Sequence, residues 1–214
     1  MTAAPPSDAT PLRDAQPLRQ LTLEAFVNAL ASKQPVPGGG AAAACVLAQA
    51  AALGSMVIAY TVGKPKFAEH DDRLRHYDAI LAAARSEALD LGDADAQAYL
   101  ALNALWKIPA AERAALSEWH AAVRQAIAAP SATADLATSV LVVLAAMDAI
   151  TSKQLASDLQ IARRCAHTAL EAALANVEVN LPLVADSTAR AESARFVASR
   201  RSEGARLAQS HGAS

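Results

Sequence analysis

Residues 41–62 read AAAACVLAQAAALGSMVIAYTV, a stretch without a single charged side chain. Alanine has the highest intrinsic helix propensity, so this stretch predicts a helix over 41–60. A helix that is apolar on all sides is typical of the centre of a helical bundle. Alanine is only weakly hydrophobic, and Gln49, Ser55 and Thr61 interrupt the run. We therefore predict a buried core helix and expect no membrane partner.

The composition of the whole chain also favours an all-α protein with closely packed helices. Alanine supplies 57 of 214 residues, and aromatic residues make up only 4%. The net charge of −2 leaves no basic surface for DNA or RNA, so we expect no nucleic-acid partner. Cys45 and Cys165 form no CxxC pair, and His70 and His76 lack metal-ligand spacing, so no metal is expected. The N-terminus lacks the apolar segment of a secretory signal, which favours a cytoplasmic protein.

Helical periodicity continues along the chain, and no run shows the alternation typical of a strand. Pro130 predicts a helix end, because proline has no N–H to donate. The predicted fold is all-α: a bundle of about seven helices with two buried central helices, at 41–60 and 135–147. This is more buried-type helix than a lone bundle needs, so we expect dimerisation. The predicted helices are 22–32, 41–60, 68–105, 110–129, 135–147, 159–179 and 186–209.

The helices suggest a simple division of the chain. Residues 1–20, rich in proline and polar residues, are expected to be a disordered tail. Residues 21–185 form one helical domain, and residues 186–214 form an extra C-terminal helix and tail.

The loop Pro35-Val36-Pro37-Gly38-Gly39-Gly40 opens directly into the uncharged helix. Glycines let a ligand approach the backbone, and the free N–H groups of a helix N-terminus bind anions. No Gly-Lys-Ser/Thr follows and no strand precedes the loop, so it is neither a P-loop nor a dinucleotide-binding turn. Two interpretations stay open: a ligand-binding loop, or close helix packing through glycine.

Three further groups could carry chemistry. The turn at 63–67 holds Lys64 and Lys66, which either bind an anion or are merely solvated. Asp95 lies on an alanine-rich helix, where a buried carboxylate costs energy unless it is paired or functional. Asp158 begins a helix, where an acidic residue is most often a cap.

Five sequence patches, in order over residues 26–181, resemble the cyclodeaminase/cyclohydrolase family of folate one-carbon metabolism. The patches are Pro35-Val36-Pro37-Gly38-Gly39-Gly40-Ala41-Ala42-Ala43, Thr61-Val62-Gly63-Lys64-Pro65-Lys66-Phe67, Asp95-Ala96-Gln97-Ala98-Tyr99 followed by Ile108-Pro109, Ser157-Asp158, and Asn176-Val177-Glu178-Val179-Asn180.

The resemblance implies an all-α homodimer acting on a tetrahydrofolate derivative, without a prosthetic group. It implies that Asp95 and Asp158 are catalytic acid–base or pterin-orienting groups. The glycine loop would cradle the ligand, and the lysines would bind its anionic end. The substrate-binding residues that it implies are Pro37, Gly38, Gly39, Gly40, Lys64, Lys66 and Ser157.

The resemblance leaves the reaction open. A methenyltetrahydrofolate cyclohydrolase opens the N5–N10 bridge with water, whereas a formiminotetrahydrofolate cyclodeaminase closes it and releases ammonia. A chain without a formiminotransferase domain favours the cyclohydrolase. However, Thr151-Ser152-Lys153-Gln154 stands where the family usually carries Gly-Asn-x-Asn. That departure supports a second hypothesis, a non-catalytic or retasked protein that binds a folate-like ligand. A third hypothesis is a structural helical module.

Overall fold

The computed structural model describes residues 16–209, and within that range it contains seven α-helices and no strand. The predicted all-α class is therefore confirmed. Residues 1–15 of the tail predicted over 1–20, and the end of the chain at 210–214, lie outside the described residues. The helices are α1 (Leu23–Ala31), α2 (Gly39–Ala59), α3 (Asp71–Leu105), α4 (Ala110–Arg113), α5 (Ser117–Ala146), α6 (Ala156–Asn180) and α7 (Ser187–Gln209).

Four long helices, α2, α3, α5 and α6, form an antiparallel bundle in which α2 and α5 lie diagonally opposite each other. Gly40, at the start of α2, lies beside Asp95 in the second half of α3, while Gly54 lies beside Leu81 in its first half. The two predicted central helices correspond to α2 and the second half of α5. Small residues allow this close packing: a Cβ at Gly54 would come within 2.6 Å of the Leu144 side chain.

Two of these helices, α2 and α5, are long and apolar enough to cross a membrane by length and composition alone. In each, 56% of the most apolar window is already buried inside the bundle. The core helix of a soluble protein has the same properties, so this finding is weak support for a membrane span.

Pro130 does not end a helix, contrary to the prediction, because α5 runs through it from Ser117 to Ala146. A proline inside a helix leaves the carbonyl four residues earlier without its usual donor. Here that carbonyl belongs to Ala126, and the Asn180 side chain donates to it from α6 at 3.1 Å. The predicted helices at 110–129 and 135–147 are therefore one helix, preceded by the short α4.

The two ends of the described chain pack onto this bundle. Residues 16–20, predicted as part of the tail, include a 3₁₀ turn at Leu18–Gln20. The Leu18 N–H donates to Asp93 at 2.9 Å, which explains the difference from the predicted tail. At the other end, α7 lies against α5 and α6, where Arg201 forms hydrogen bonds with Glu171 and Glu178 at 2.9 Å.

Candidate functional site

A pocket of about 410 Å³ lies at the end of the bundle where α2 begins. Its walls come from the glycine loop, α3, α5, α6 and the turn after α6. This size suits a small organic ligand. The lining residues are Pro35, Val36, Gly38, Gly39, Gly40, Asp95, Tyr99, Trp106, Ala126, Asn176, Val179, Asn180 and Leu183.

Asp95 is the acidic residue of this lining. Its carboxyl group lies against Gly40 in the first turn of α2, where a Cβ would fall inside 3.0 Å of three carboxyl atoms. Only glycine therefore leaves room for this carboxyl group. Burial raises the pKa of Asp95, because a desolvated carboxylate loses its hydration. A carboxyl group with a raised pKa in a pocket is suited to general acid–base catalysis near neutral pH.

Two amides from α6 face the same pocket. Asn176 and Asn180 are four residues apart and so share one side of the helix. The Asn176 amide lies about 3.7 Å from where a Cβ of Gly39 would be. The Asn180 Nδ2 donates to the carbonyls of Ala126 and Asn176, at 3.1 and 3.0 Å. These bonds fix the Asn180 side chain, and its Oδ1 remains an acceptor for a ligand N–H.

Aromatic side chains form another wall. Tyr99 and Trp106 pack edge to face with ring centroids 6.1 Å apart, and each is 39% exposed. Trp106 in turn packs edge to face on the buried Trp119, at 6.5 Å. The buried ring supports the two partly exposed rings, which offer apolar surface for a flat heterocycle.

The structure gathers only part of the predicted site into this pocket. Gly38, Gly39, Gly40 and Asp95 line it, as predicted. Pro37 lines a neighbouring cavity of about 540 Å³, together with the start of the described chain and α3. The Val36–Pro37 peptide bond is cis.

The other four predicted residues lie elsewhere. Lys64 and Lys66 follow the C-terminal end of α2, whereas Ser157 and Asp158 begin α6 at the same end of the bundle. The α2 helix has 21 residues and rises about 1.5 Å per residue, so about 30 Å separates these groups from the glycine loop. Within one chain, they do not share a site with Asp95.

The lysine turn is a well-defined structure. Gly63 has a φ of +79°, in the left-handed region that favours glycine. Its N–H donates to the Asp71 carboxylate at 3.1 Å, which closes the turn. Thr61 is fully buried beneath it, and its Oγ1 lies 3.5 Å from the Ser152 backbone N. The side chains of Lys64 and Lys66 are exposed.

Sequence reasoning did not single out Trp106, Asn176 or Asn180 as site residues. The two asparagines carried a usable signal, because their i, i+4 spacing places two amides on one side of an alanine-rich helix. Trp106 follows the last turn of α3, and its sequence neighbours give no indication of what it faces. Among residues 16–209, no group of three or more His, Cys, Asp or Glu side chains could hold a metal ion.

Comparison with known proteins places this geometry in a family. The family described as Formiminotransferase-cyclodeaminase matches residues 22–199. Formimidoyltransferase-cyclodeaminase of Sus scrofa is 33% identical over 83% of this chain, which covers 34% of that protein. Methenyltetrahydrofolate cyclohydrolase of Methylorubrum extorquens is 31% identical over 74% of this chain and 78% of that protein.

A solved structure agrees on the fold. Formiminotetrahydrofolate cyclodeaminase from Thermotoga maritima superposes with a TM-score of 0.83 at 24% identity, over 89% of this chain and 93% of that one. The chain spans about a third of the length of the Sus scrofa relative and most of the length of the bacterial ones. The match over residues 22–199 and the resemblance to the cyclohydrolase show that this chain belongs to the formiminotransferase-cyclodeaminase family.

Proposed function

We propose that this protein is a folate one-carbon enzyme that opens the N5–N10 bridge of 5,10-methenyltetrahydrofolate, and that Asp95 moves the protons. The observation that carries the proposal is the half-buried Asp95 carboxyl group, which lines the pocket beside the first turn of α2 and whose pKa is raised by desolvation. The relative that this chain covers over most of its length is named a methenyltetrahydrofolate cyclohydrolase, which supports this direction of reaction.

The proposed reaction needs two proton transfers at one place. Asp95, as a carboxylate, accepts a proton from the water that attacks the cationic methenyl carbon. The protonated Asp95 then gives that proton to N5 as the carbon–N5 bond breaks. The hydroxyl proton of the intermediate leaves to solvent, and the product is 10-formyltetrahydrofolate. A raised pKa serves both steps, because it makes the carboxylate a better base and lets the acid hold its proton nearer neutral pH.

The remaining pocket residues hold the substrate. Tyr99 and Trp106 offer partly exposed ring surface for the flat pterin or aminobenzoyl ring. The fixed Asn180 amide offers an acceptor for a pterin N–H. The proposed ligand is thus a reduced folate, bound without a prosthetic group, and the proposed active form is a homodimer.

A second candidate reaction is the cyclodeaminase reaction. It is favoured by the name of the Sus scrofa relative. In this direction N10 attacks the carbon of the protonated formimino group on N5 and gives up its own proton to the Asp95 carboxylate. Asp95 then passes that proton to the amino group on the same carbon, which leaves as ammonia as the methenyl bridge forms. The same carboxyl group serves both reactions.

The test is the decay of 5,10-methenyltetrahydrofolate absorbance, with ammonia release from 5-formiminotetrahydrofolate measured in parallel. Asp95→Asn is expected to lose at least about 100-fold in kcat. The matched control is Asp93→Asn, one half-turn away, because Asp93 bonds the Leu18 backbone and lines the neighbouring cavity. If the wild type turns over neither folate, or if Asp95→Asn keeps full activity, the proposal is wrong.

A further inference from the structure

A cavity of about 390 Å³, the α5–α7 cavity, lies between the first half of α5, the turn after α6 and the first two turns of α7. Its volume falls in the range of about 300–1,000 Å³ that is typical of small-molecule sites. Leu183, in the turn after α6, lines both this cavity and the pocket that holds Asp95. The two cavities are therefore neighbours that share one wall, and the proposed reaction uses no other residue of the α5–α7 cavity.

The α5–α7 cavity is mainly apolar. Among the described residues eleven line it, and seven of these are aliphatic. Its α5 wall consists of positions 120, 123, 124, 127 and 128, which share one side of the helix. Ile127, Leu183 and Val184 also pack against buried core side chains, so the apolar wall is held in place. This lining is suited to the apolar body of a ligand.

Arg124 gives this apolar cavity a positive charge. It lies on the α5 wall, between Val123 and the rest of the aliphatic lining, and its side chain is exposed. Within residues 16–209 the structure gives Arg124 no hydrogen bond and no ion pair. Its planar guanidinium can donate two parallel hydrogen bonds to an oxyanion such as a carboxylate.

The other ionisable groups of the lining already have partners of their own. The Asp186 carboxylate accepts hydrogen bonds from the backbone N–H groups of Thr188 and Ala189, at 2.8 and 3.3 Å, and so caps α7. The Nε2 of His120 lies 3.0 Å from a backbone carbonyl just before α5. Because a carbonyl only accepts hydrogen bonds, that Nε2 is the donor. Arg124 is therefore the group of this lining that is available to an anion.

We infer that the α5–α7 cavity is a second ligand site, which binds a small molecule with an apolar body and one anionic group. The apolar body lies between α5 and α7, and the anionic group is bound by Arg124. One cation beside an apolar cavity matches this class of ligand, because burial favours the body and charge complementarity selects the anion. The inference does not depend on the proposed folate activity.

Two fluorescent probes test the role of Arg124 in the full chain. 8-Anilino-1-naphthalenesulfonate has an apolar aromatic body and one sulfonate, and N-phenyl-1-naphthylamine has the same body without the charge. Arg124→Met is expected to weaken binding of the sulfonate probe at one site per chain by at least about tenfold, and binding of the neutral probe by less than about twofold. The matched control is Arg195→Met, an exposed arginine of α7 outside the lining, which should change neither.

A larger side chain inside the cavity tests where the probes bind. Ala189 lines the cavity on α7, so the indole of Ala189→Trp should fill the space and abolish binding of both probes at this site. Ala194→Trp is the matched control, because Ala194 is exposed on the same helix outside the lining. Circular dichroism checks that both variants fold. If Ala189→Trp does not fold, the Arg124→Met comparison decides alone, since an exposed side chain can be replaced without disturbing the core.

Several results would overturn the inference. They are a wild type that binds neither probe, an Arg124→Met protein in which both probes are weakened equally or not at all, and a folded Ala189→Trp protein that still binds both. Displacement of the sulfonate probe by 5-formyltetrahydrofolate would also overturn it, because the probe would then lie in the Asp95 pocket. Neither probe is a folate, so the outcome is independent of whether the protein turns over either folate substrate.

Discussion

Gly40 limits the space around Asp95, so a substitution at Gly40 can displace the proposed catalytic carboxyl group without replacing Asp95 itself. A Cβ at Gly40 would fall inside 3.0 Å of three Asp95 carboxyl atoms, whereas ordinary contact begins near 3.4 Å. In Gly40→Ala the carboxyl group must therefore move by about 1 Å, and a displacement of that size can cost about 100-fold in rate. We expect kcat to fall by about that factor, which corresponds to about 2.7 kcal/mol of activation free energy.

The fold should survive this change. Alanine is favoured over glycine by about 1 kcal/mol inside a helix, which offsets part of the strain of about 1–3 kcal/mol that overpacking brings. The melting temperature is thus expected to move by only a few degrees. Gly39→Ala is the comparison variant, because its Cβ would meet Asn176 at an ordinary 3.7 Å. We expect it to lose clearly less activity than Gly40→Ala.

The decisive measurement is a double-mutant cycle of methenyltetrahydrofolate hydrolysis. If Gly40→Ala acts by displacing the carboxyl group, it should have no further effect on kcat in an Asp95→Ala background. A full additional 100-fold loss in that background would refute the reasoning. So would a Gly40→Ala enzyme with wild-type kcat.

Three other outcomes are expected. The raised pKa of Asp95 means that the folded state binds the Asp95 proton more tightly than the unfolded state does. The contribution of Asp95 to the free energy of unfolding is therefore greatest below its unfolded pKa and is lost as pH rises through its folded pKa. Asp95→Asn should therefore gain stability relative to wild type in denaturant titrations as pH rises above about 4, the ordinary pKa of an aspartate, and a difference that stays constant with pH contradicts this. Asn180→Ala should cost about 1–3 kcal/mol of unfolding free energy, because the Ala126 carbonyl loses its donor. The cost should be smaller in a Pro130→Ala background, where the backbone N–H of residue 130 can donate to that carbonyl instead. Equal costs in the two backgrounds would show that Asn180 does not replace the missing helical donor. Trp106→Ala should weaken 5-formyltetrahydrofolate binding by about tenfold in equilibrium titration, and unchanged affinity would remove the ring from the binding surface.

Local sequence patterns predicted most of the helices well. The first helix was expected over 22–32 and is Leu23–Ala31, and the uncharged helix was expected over 41–60 and is Gly39–Ala59. The reason is that caps and breakers act within a few residues. Thr22 accepts a hydrogen bond from the Ala25 N–H at 3.1 Å, as an N-cap does.

The continuous helix through Pro130 could not be predicted from the neighbouring residues. A proline destabilises its own helix because it lacks the backbone N–H of a helical hydrogen bond, and this effect can be predicted from the local sequence. The group that offsets the effect here is a side-chain amide on another helix. Nothing near residue 130 indicates that Asn180 will donate to the Ala126 carbonyl. Within residues 16–209 the number of α-helices is nevertheless seven, as predicted, because the joining of two predicted helices in α5 removes one helix and the separate short α4 adds one.

The site was predicted in its residue types more than in its arrangement. Asp95 and the glycine loop meet in one pocket because α3 returns antiparallel along α2. The lysine turn and the Ser157-Asp158 pair were grouped with them by resemblance alone. The predicted length of the uncharged helix already places the glycine loop and the lysine turn at its opposite ends, about 30 Å apart. The roles of Lys64, Lys66, Ser157 and Asp158 stay predictions.

The bond between Asn180 and the Ala126 carbonyl also limits how this sequence can diverge. A lineage that lost Asn180 first would keep a proline helix with an orphaned carbonyl, and selection would act against that intermediate. A lineage that lost Pro130 first would regain the helical N–H and release the amide at no such cost. The permitted order of substitution is therefore proline before asparagine. Once the bond to Ala126 is no longer required, only the bond to the Asn176 carbonyl holds the amide, so a change inside α5 eases a change of specificity on α6.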